Sequence, residues 1–177
     1  MTEANPTTPN ASAPLGPPTT DEATAIETFL PESNVLIVDD NQQNVELLAA
    51  FLETLPIKID MAYDGIEALE KVAANPPDLI LLDVMMPRMS GFQVCRKLKG
   101  DPATKDIQIL MVTALNELGD IEQAAECGTD DFVSKPVNKF ELLTRVKSLL
   151  RVRHLKSELE RALTYLNEVD HESTGSE

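Results

Sequence analysis

Aromatic residues make up only 4% of the 177 residues, and cysteine occurs twice, as Cys95 and Cys127, without a CxxC pair. In a reducing compartment two such cysteines read as small core side chains, so neither a disulfide framework nor a metal site is expected from them. No apolar run approaches the roughly 20 residues that a membrane-spanning helix needs. No Lys or Arg precedes Lys58, so the positive start of a secretory signal is missing and the expected location is cytoplasmic. No two of the seven glycines are separated by a single residue, which excludes a G-x-G-x-x-G loop, and no Walker loop occurs. Positive charge is scarce: 15 basic residues stand against 30 acidic ones, for a net charge of −15. Such a chain repels phosphate backbones and anionic lipid, so no nucleic-acid or membrane-surface partner is expected.

What is present falls into three regions. Residues 1–32 hold five acids, no base and half of the twelve prolines. So few large apolar side chains cannot offset ordering entropy, and a disordered leader is expected, with an arm around Ile26, Phe29 and Leu30 as the sharper alternative. Residues 33–138 carry eight basic against eighteen acidic residues, and residues 139–177 balance at seven each.

From Asn34 the chain alternates short apolar runs with helical patterns. The runs are Val35 to Val38, Ile57 to Ala62, Leu79 to Leu82, Ile109 to Val112, and Phe132-Val133. Uninterrupted aliphatic runs indicate strands covered on both faces, as in a parallel sheet with helical crossovers. The spacers Gln43–Leu55, Gly65–Ala74, Gly91–Lys99 and about 119–127 have crossover length, with Asp64-Gly65, Asn75-Pro76-Pro77 and Cys127-Gly128 as turns. The expectation is an α/β fold, a (βα)5 doubly wound parallel five-stranded sheet.

In such sheets the reactive crevice lies at the carboxyl ends of the strands. Asp39 and Asp40 end the first run, Asp83 the third and Thr113 the fourth, with Lys135-Pro136 just beyond the fifth. An Asp at a strand end is by itself more often a cap than a ligand, but here three Asp, a Thr and a Lys are expected in one crevice. Three crowded carboxylates repel unless a cation joins them, and hard oxygen ligands favour Mg2+, or Mn2+. One carboxylate can then attack a phosphorylated donor, with Lys135 and the Thr113 hydroxyl placed to hold phosphoryl oxygens.

Four segments carry a resemblance: Val35-Leu36-Ile37-Val38-Asp39-Asp40-Asn41, Leu81-Leu82-Asp83-Val84-Met85-Met86-Pro87-Arg88-Met89-Ser90-Gly91, Val112-Thr113-Ala114 and Ser134-Lys135-Pro136. In order and spacing the chain resembles, over about residues 33–153, the CheY-like receiver domain of bacterial two-component response regulators. The resemblance implies a flavodoxin-like strand order of 2-1-3-4-5 and Asp83 as phosphoacceptor. It implies a metal site of Asp39, Asp40, Asp83 and the Met85 backbone carbonyl, phosphate contacts from Thr113, Ala114 and Lys135, a switch pair of Thr113 and Phe132, and a cis peptide at Lys135-Pro136. Asp64-Gly65 and Gly91 recur in the family as well, and read as a tight turn and a close backbone approach. A haloacid-dehalogenase-type hydrolase would need an acid where Met85 stands, and a flavodoxin a Ser/Thr-rich loop where Asp39-Asp40-Asn41 stands.

Asn138-Lys139-Phe140-Glu141 has capping-box spacing, and no proline or glycine follows until Gly175. One helix of about 30 residues, roughly 45 Å, is expected. Its first half would cover the sheet. Beyond Arg153 it becomes a coiled-coil-like extension over 154–170, before a disordered tail at 171–177. Val152, Leu155, Leu159, Ala162, Leu166 and Val169 are spaced 3, 4, 3, 4, 3, a heptad seam that calls for a partner. A parallel pairing with a second copy is the first expectation. Asp131, Glu141 and Arg145 resemble charged positions of the family's dimer face, although Ile121 and Gln123 stand where its basic partner is usual. Arg145, Lys147, Arg151, Arg153 and Lys156 form a basic run read as a solvated helix face, with docking on an acidic receiver surface as the alternative. His154 and His171 are expected at the surface.

The functional expectation is a phosphorelay response regulator that accepts phosphate from a sensor histidine kinase and changes dimerisation or partner binding through its last helix. The alternative is an intermediate that passes phosphate to a histidine phosphotransfer protein. No enzyme activity beyond self-phosphorylation and slow self-dephosphorylation is expected, and the 24 residues after Arg153 are too few for a folded output domain. The positions two after Asp83 and two after Thr113 are Met85 and Leu115, which in the family border the path of the hydrolytic water. Neither side chain can orient a water, so exchanging both for polar residues is expected to shorten the phosphorylated lifetime. An unchanged decay rate of the phosphorylated chain would contradict this gating role.

Overall fold

The computed structural model describes residues 30–114 and 126–174. Five strands, β1 Ser33–Val38, β2 Ile57–Ala62, β3 Leu79–Leu82, β4 Gln108–Thr113 and β5 Asp131–Ser134, form one sheet in the order β2-β1-β3-β4-β5. All four pairings are parallel. The described helices are α1 Gln42–Leu52, α2 Gly65–Ala74, α3 Gly91–Gly100 and α4 Lys139–Thr174. The expected leader through residue 29, the middle of the fourth crossover with Leu115, Ile121 and Gln123, and the last three residues lie outside the described part.

Sequence and position in the sheet agree. The three inner strands β1, β3 and β4 are buried almost throughout. The outer strand β2 alternates Ile57-Lys58-Ile59-Asp60, putting every second side chain toward solvent. Side-chain alternation sends Leu36, Val38, Ile80, Leu82, Ile109 and Met111 to one face, against α2 and α3. Val35, Ile37, Leu79, Leu81, Leu110 and Val112 go to the other, against α1 and α4. Leu30 also packs on this second core, so the end of the expected leader is anchored.

Local signals start the helices. Asn41 caps α1 by accepting from Gln43 N, and Asp64 caps α2 by accepting from Ile66 N and Glu67 N at 2.8 and 2.9 Å. Ser90 and Gln93 make a reciprocal capping box on α3. At α4 only half of the expected box forms. Asn138 Oδ1 accepts from Glu141 N at 3.1 Å, but the Glu141 carboxylate turns to Arg145 at 3.0 and 3.1 Å, where a charge-assisted bond replaces the neutral one. Gly65 is not the expected tight turn. It is the first residue of α2, and a Cβ there would stand 2.8 Å from Val94 Cγ2 and 3.0 Å from Met89 Cβ, so the glycine serves close helix packing.

Helix α4 covers the sheet with Leu142, Val146, Leu149 and Leu150, then leaves it and continues to Thr174, past the expected end at Asp170. Its exit is pinned by Lys156 Nζ to Asp106 Oδ1 at 2.7 Å and Arg153 Nε to Asp78 Oδ1 at 3.8 Å. Part of the basic run thus meets acids of its own chain, in the loops before β4 and β3. Leu155 between the pins, and Leu159, Leu163 and Leu166 beyond them, are all more than half exposed. The apolar stripe is therefore wider than the expected seam by Leu163.

Gly91 has a stricter requirement. A Cβ there would lie 2.2 Å from the carbonyl oxygen of Asp83, a backbone atom that cannot step aside. Gly91→Ala is expected to displace the β3 end and destabilise by about 2 kcal/mol, lowering the melting temperature by roughly 8 °C. An unchanged melting curve would contradict that close approach.

Candidate phosphoacceptor site

Strands β1, β3 and β5 deliver Asp39, Asp83 and Lys135 one step past their ends, where the backbone ladder holds them, and β4 ends on Thr113 itself. Asp39 N donates to Ala62 O at 3.3 Å, Asp83 N to Val38 O at 2.9 Å, and Lys135 N to Thr113 O at 2.8 Å. The strand order brings these ends together. Asp39, Asp40 and Asp83 present carboxylate oxygens within 4.8 Å of one another, with Asp39 and Asp83 buried and Asp40 exposed. Lys135 reaches in from the end of β5. Its Nζ lies 2.7 Å from Asp39 Oδ2 and 3.0 Å from Asp83 Oδ1, bridging the two buried acids. The Lys135-Pro136 peptide is cis, as the resemblance implies.

Two residues that the strand-end pattern did not single out complete the first turn of α1. Asn44 Nδ2 donates to both oxygens of Asp39, at 3.1 and 3.0 Å, and Asn41 N donates to Asp39 Oδ1 at 2.9 Å. The readable signal was the repeat Asn41-x-x-Asn44 directly behind the acidic pair. It places the amide one helical turn from the cap, where the helix's own N–H groups and dipole favour negative charge.

The other expected residues divide by exposure. Thr113 is 1% exposed, and among the described residues its Oγ1 has no hydrogen-bond partner. Such a buried orphan is costly unless a ligand oxygen accepts from it. Phe132 is 41% exposed and so stands outward, while Met85 projects its side chain to solvent. Ala114 is exposed at the end of β4. Arg88, in the loop after Asp83, takes a left-handed backbone with φ 66° and pairs with Asp64, tying that loop to the cap of α2.

Away from the crevice, Arg145 Nη1 meets both Asp131 oxygens at 2.6 Å, and the same guanidinium holds Glu141. These three charges, expected on a dimer face, satisfy one another within the chain. His154 pairs with Glu158 near the surface.

Burial pushes the Asp83 carboxyl above its ordinary range; the hydrogen bond and charge of Lys135 pull it back, and the charge of Asp39 raises it again. Burial alone would lower Lys135, but its hydrogen bonds to Asp39 and Asp83 outweigh that and hold the ammonium above the usual lysine value. The donor set is three hard carboxylates, two of them buried, beside an orphaned hydroxyl. That set fits a small divalent cation and a tetrahedral anion together.

Comparisons with known proteins agree with this arrangement. Residues 35–147 match the family described as the response regulator receiver domain. Response regulator PleD of Caulobacter vibrioides is 46% identical over 127 residues, which cover 72% of this chain and 28% of PleD. The DNA-binding dual master transcriptional regulator RpaA of Synechocystis is 40% identical over 117 residues, covering 66% of this chain and 48% of that protein. Among solved structures, a signal receiver domain of a signal transduction histidine kinase from Syntrophus aciditrophicus superposes with a TM-score of 0.64 at 37% identity, covering 67% of this chain and 90% of that one. The chain thus spans between about a quarter and a half of these two curated relatives.

A carboxyl whose folded pKa is raised stabilises the fold only below its unfolded pKa, and that contribution is lost as pH rises through the folded value. Asp83 ionised at neutral pH is therefore a cost. In metal-free buffer at pH 7, Asp83→Asn is expected to melt above the parent chain, with the gap closing as pH falls through the carboxylate range. A variant that melts lower at pH 7 would contradict the electrostatic account.

Proposed function

The chain belongs to the response regulator receiver family, and on that premise we propose that Asp83 accepts a phosphoryl group from a histidine kinase or histidine phosphotransfer protein. The observation that carries the reading is the meeting of Asp39, Asp40, Asp83, Thr113 and Lys135 at the strand ends. An Asp83 oxygen attacks phosphorus, the bond from phosphorus to the donor nitrogen breaks, and an acyl phosphate forms. Lys135 leaves its bridge to hold a phosphoryl oxygen. The Thr113 hydroxyl and the Ala114 N–H donate to others, and Phe132 follows Thr113 inward. Asp39, Asp40, Asp83 and the Met85 carbonyl would hold Mg2+ or Mn2+, which supplies the positive charge that lets an anionic donor approach three carboxylates.

The charged state acts as a ligand that shifts the chain between two conformations. We place the output in α4: Leu155 at the pinned exit, and Leu159, Leu163 and Leu166 beyond it, lie exposed along the helix and suit pairing with a second copy. The chain turns over no substrate beyond its own phosphorylation and slow self-dephosphorylation, and it works in the cytoplasm. Among the described residues no helix is long and apolar enough to cross a membrane. The exclusion of nucleic acid drawn from charge does not extend to a whole protein, because RpaA is by name DNA-binding.

Light scattering on the full chain tests the output. Beryllofluoride with Mg2+ is expected to move the mass from 19.4 kDa toward twice that value. Asp83→Asn should not respond, and the double change Leu155→Glu with Leu159→Glu should stay monomeric. A mass that ignores beryllofluoride would favour the phosphotransfer alternative, which needs no pairing of α4.

A further inference from the structure

Cys95 and Cys127 are the only cysteines of the chain, and the fold brings them together across 32 positions of sequence. Cys95 lies on the inner face of α3 with no exposed surface, and Cys127, 3% exposed, is the last helical residue before Gly128 at φ 84°. Cys95 Sγ donates to the carbonyl oxygen of Cys127 at 3.2 Å, which sets the two residues side by side, and each thiol shifts the other's titration. Both sit in the core between the sheet and α2 and α3, as the sequence led one to expect. Val94, Leu98 and Ile109 pack in the same core, beside Phe92, Met86 and Met111. Neither cysteine belongs to the carboxylate site.

We propose that Cys95 and Cys127 form a reversible dithiol–disulfide couple, oxidised by hydrogen peroxide or another small hydroperoxide, that ties α3 to the segment entering β5. The Cys127 thiolate attacks a peroxide oxygen, the O–O bond breaks, and hydroxide leaves to become water, giving a sulfenic acid. The Cys95 sulfur then attacks the sulfenic sulfur, the S–O bond breaks, a second water leaves and the S–S bond forms. The two thiols lose two electrons and two protons, and one peroxide becomes two waters. The order follows from the contact. The neighbouring Cys95 thiol holds Cys127 below the ordinary thiol range, whereas Cys127 and then burial push the Cys95 thiol up. Burial restricts the oxidant to a small molecule and keeps the sulfenic acid beside its resolving thiol. The bridge would close a loop that contains all of β4 with Thr113 and ends four residues before β5, which bears Phe132.

The test treats the native full chain with a small excess of hydrogen peroxide, then alkylates it under denaturing conditions for mass spectrometry. The expected product has lost two hydrogens, takes up no alkyl group, yields one cross-linked Cys95/Cys127 peptide pair and returns to two alkylatable thiols with dithiothreitol. It should form much faster in the native chain than in concentrated urea, and Cys95→Ser should instead add oxygen at Cys127. Two persistently alkylatable thiols, oxygen added at cysteine without a bridge in the parent chain, a bridge between copies, or equal rates in urea would each overturn the proposal.

Discussion

Three carboxylates at the ends of two neighbouring strands repel one another, and burying two of them makes the repulsion worse. The sheet tolerates this because the ammonium of Lys135, delivered from a strand two places away, bridges Asp39 and Asp83. Such a bridge repays the desolvation of its ions only when the remaining lone pairs are also satisfied. For Asp39 that condition is met by Asn44 and the Asn41 N–H. Asp83 has fewer donors, and it is the acid whose pKa is raised. The least supported carboxylate is thus the one that the family resemblance assigns to chemistry.

The surrounding packing serves that arrangement. The parallel order puts the ends of β1, β3, β4 and β5 side by side, and the ladder bonds of Asp39, Asp83 and Lys135 extend the sheet by one residue at each end. Gly91 brings the start of α3 onto the Asp83 carbonyl, and Arg88 ties the intervening loop to the cap of α2. The opposite ends of β3 and β4 are pinned to α4 through Asp78 and Asp106. Both ends of the β3 and β4 layer are therefore held by charged contacts, and the emerging helix has a fixed phase relative to the domain.

The inner strands were legible because aliphatic runs such as Val35-Leu36-Ile37-Val38 and Leu79-Ile80-Leu81-Leu82 have a single physical solution, burial on both faces. The acids ending those runs were legible for the same reason, since a strand's end fixes where the next side chain goes. Contacts between distant positions were not. Lys156 and Arg153 read as a solvated face because Asp106 and Asp78 come close only after folding. The width of the apolar stripe was missed because Leu163 falls beside a strict heptad seam. The meeting of Cys95 with Cys127 is likewise a product of tertiary packing alone.

The central claim is that the Asp83 carboxylate, set between Asp39 and Lys135, takes up a phosphoryl group to become an acyl phosphate. Incubating the full chain with acetyl phosphate and Mg2+ and mapping the product with hydroxylamine measures this directly. The account requires one hydroxylamine-labile phosphoryl group on the peptide that contains Asp83, and none in Asp83→Asn. A stable adduct elsewhere, or an adduct that survives in Asp83→Asn, would contradict it.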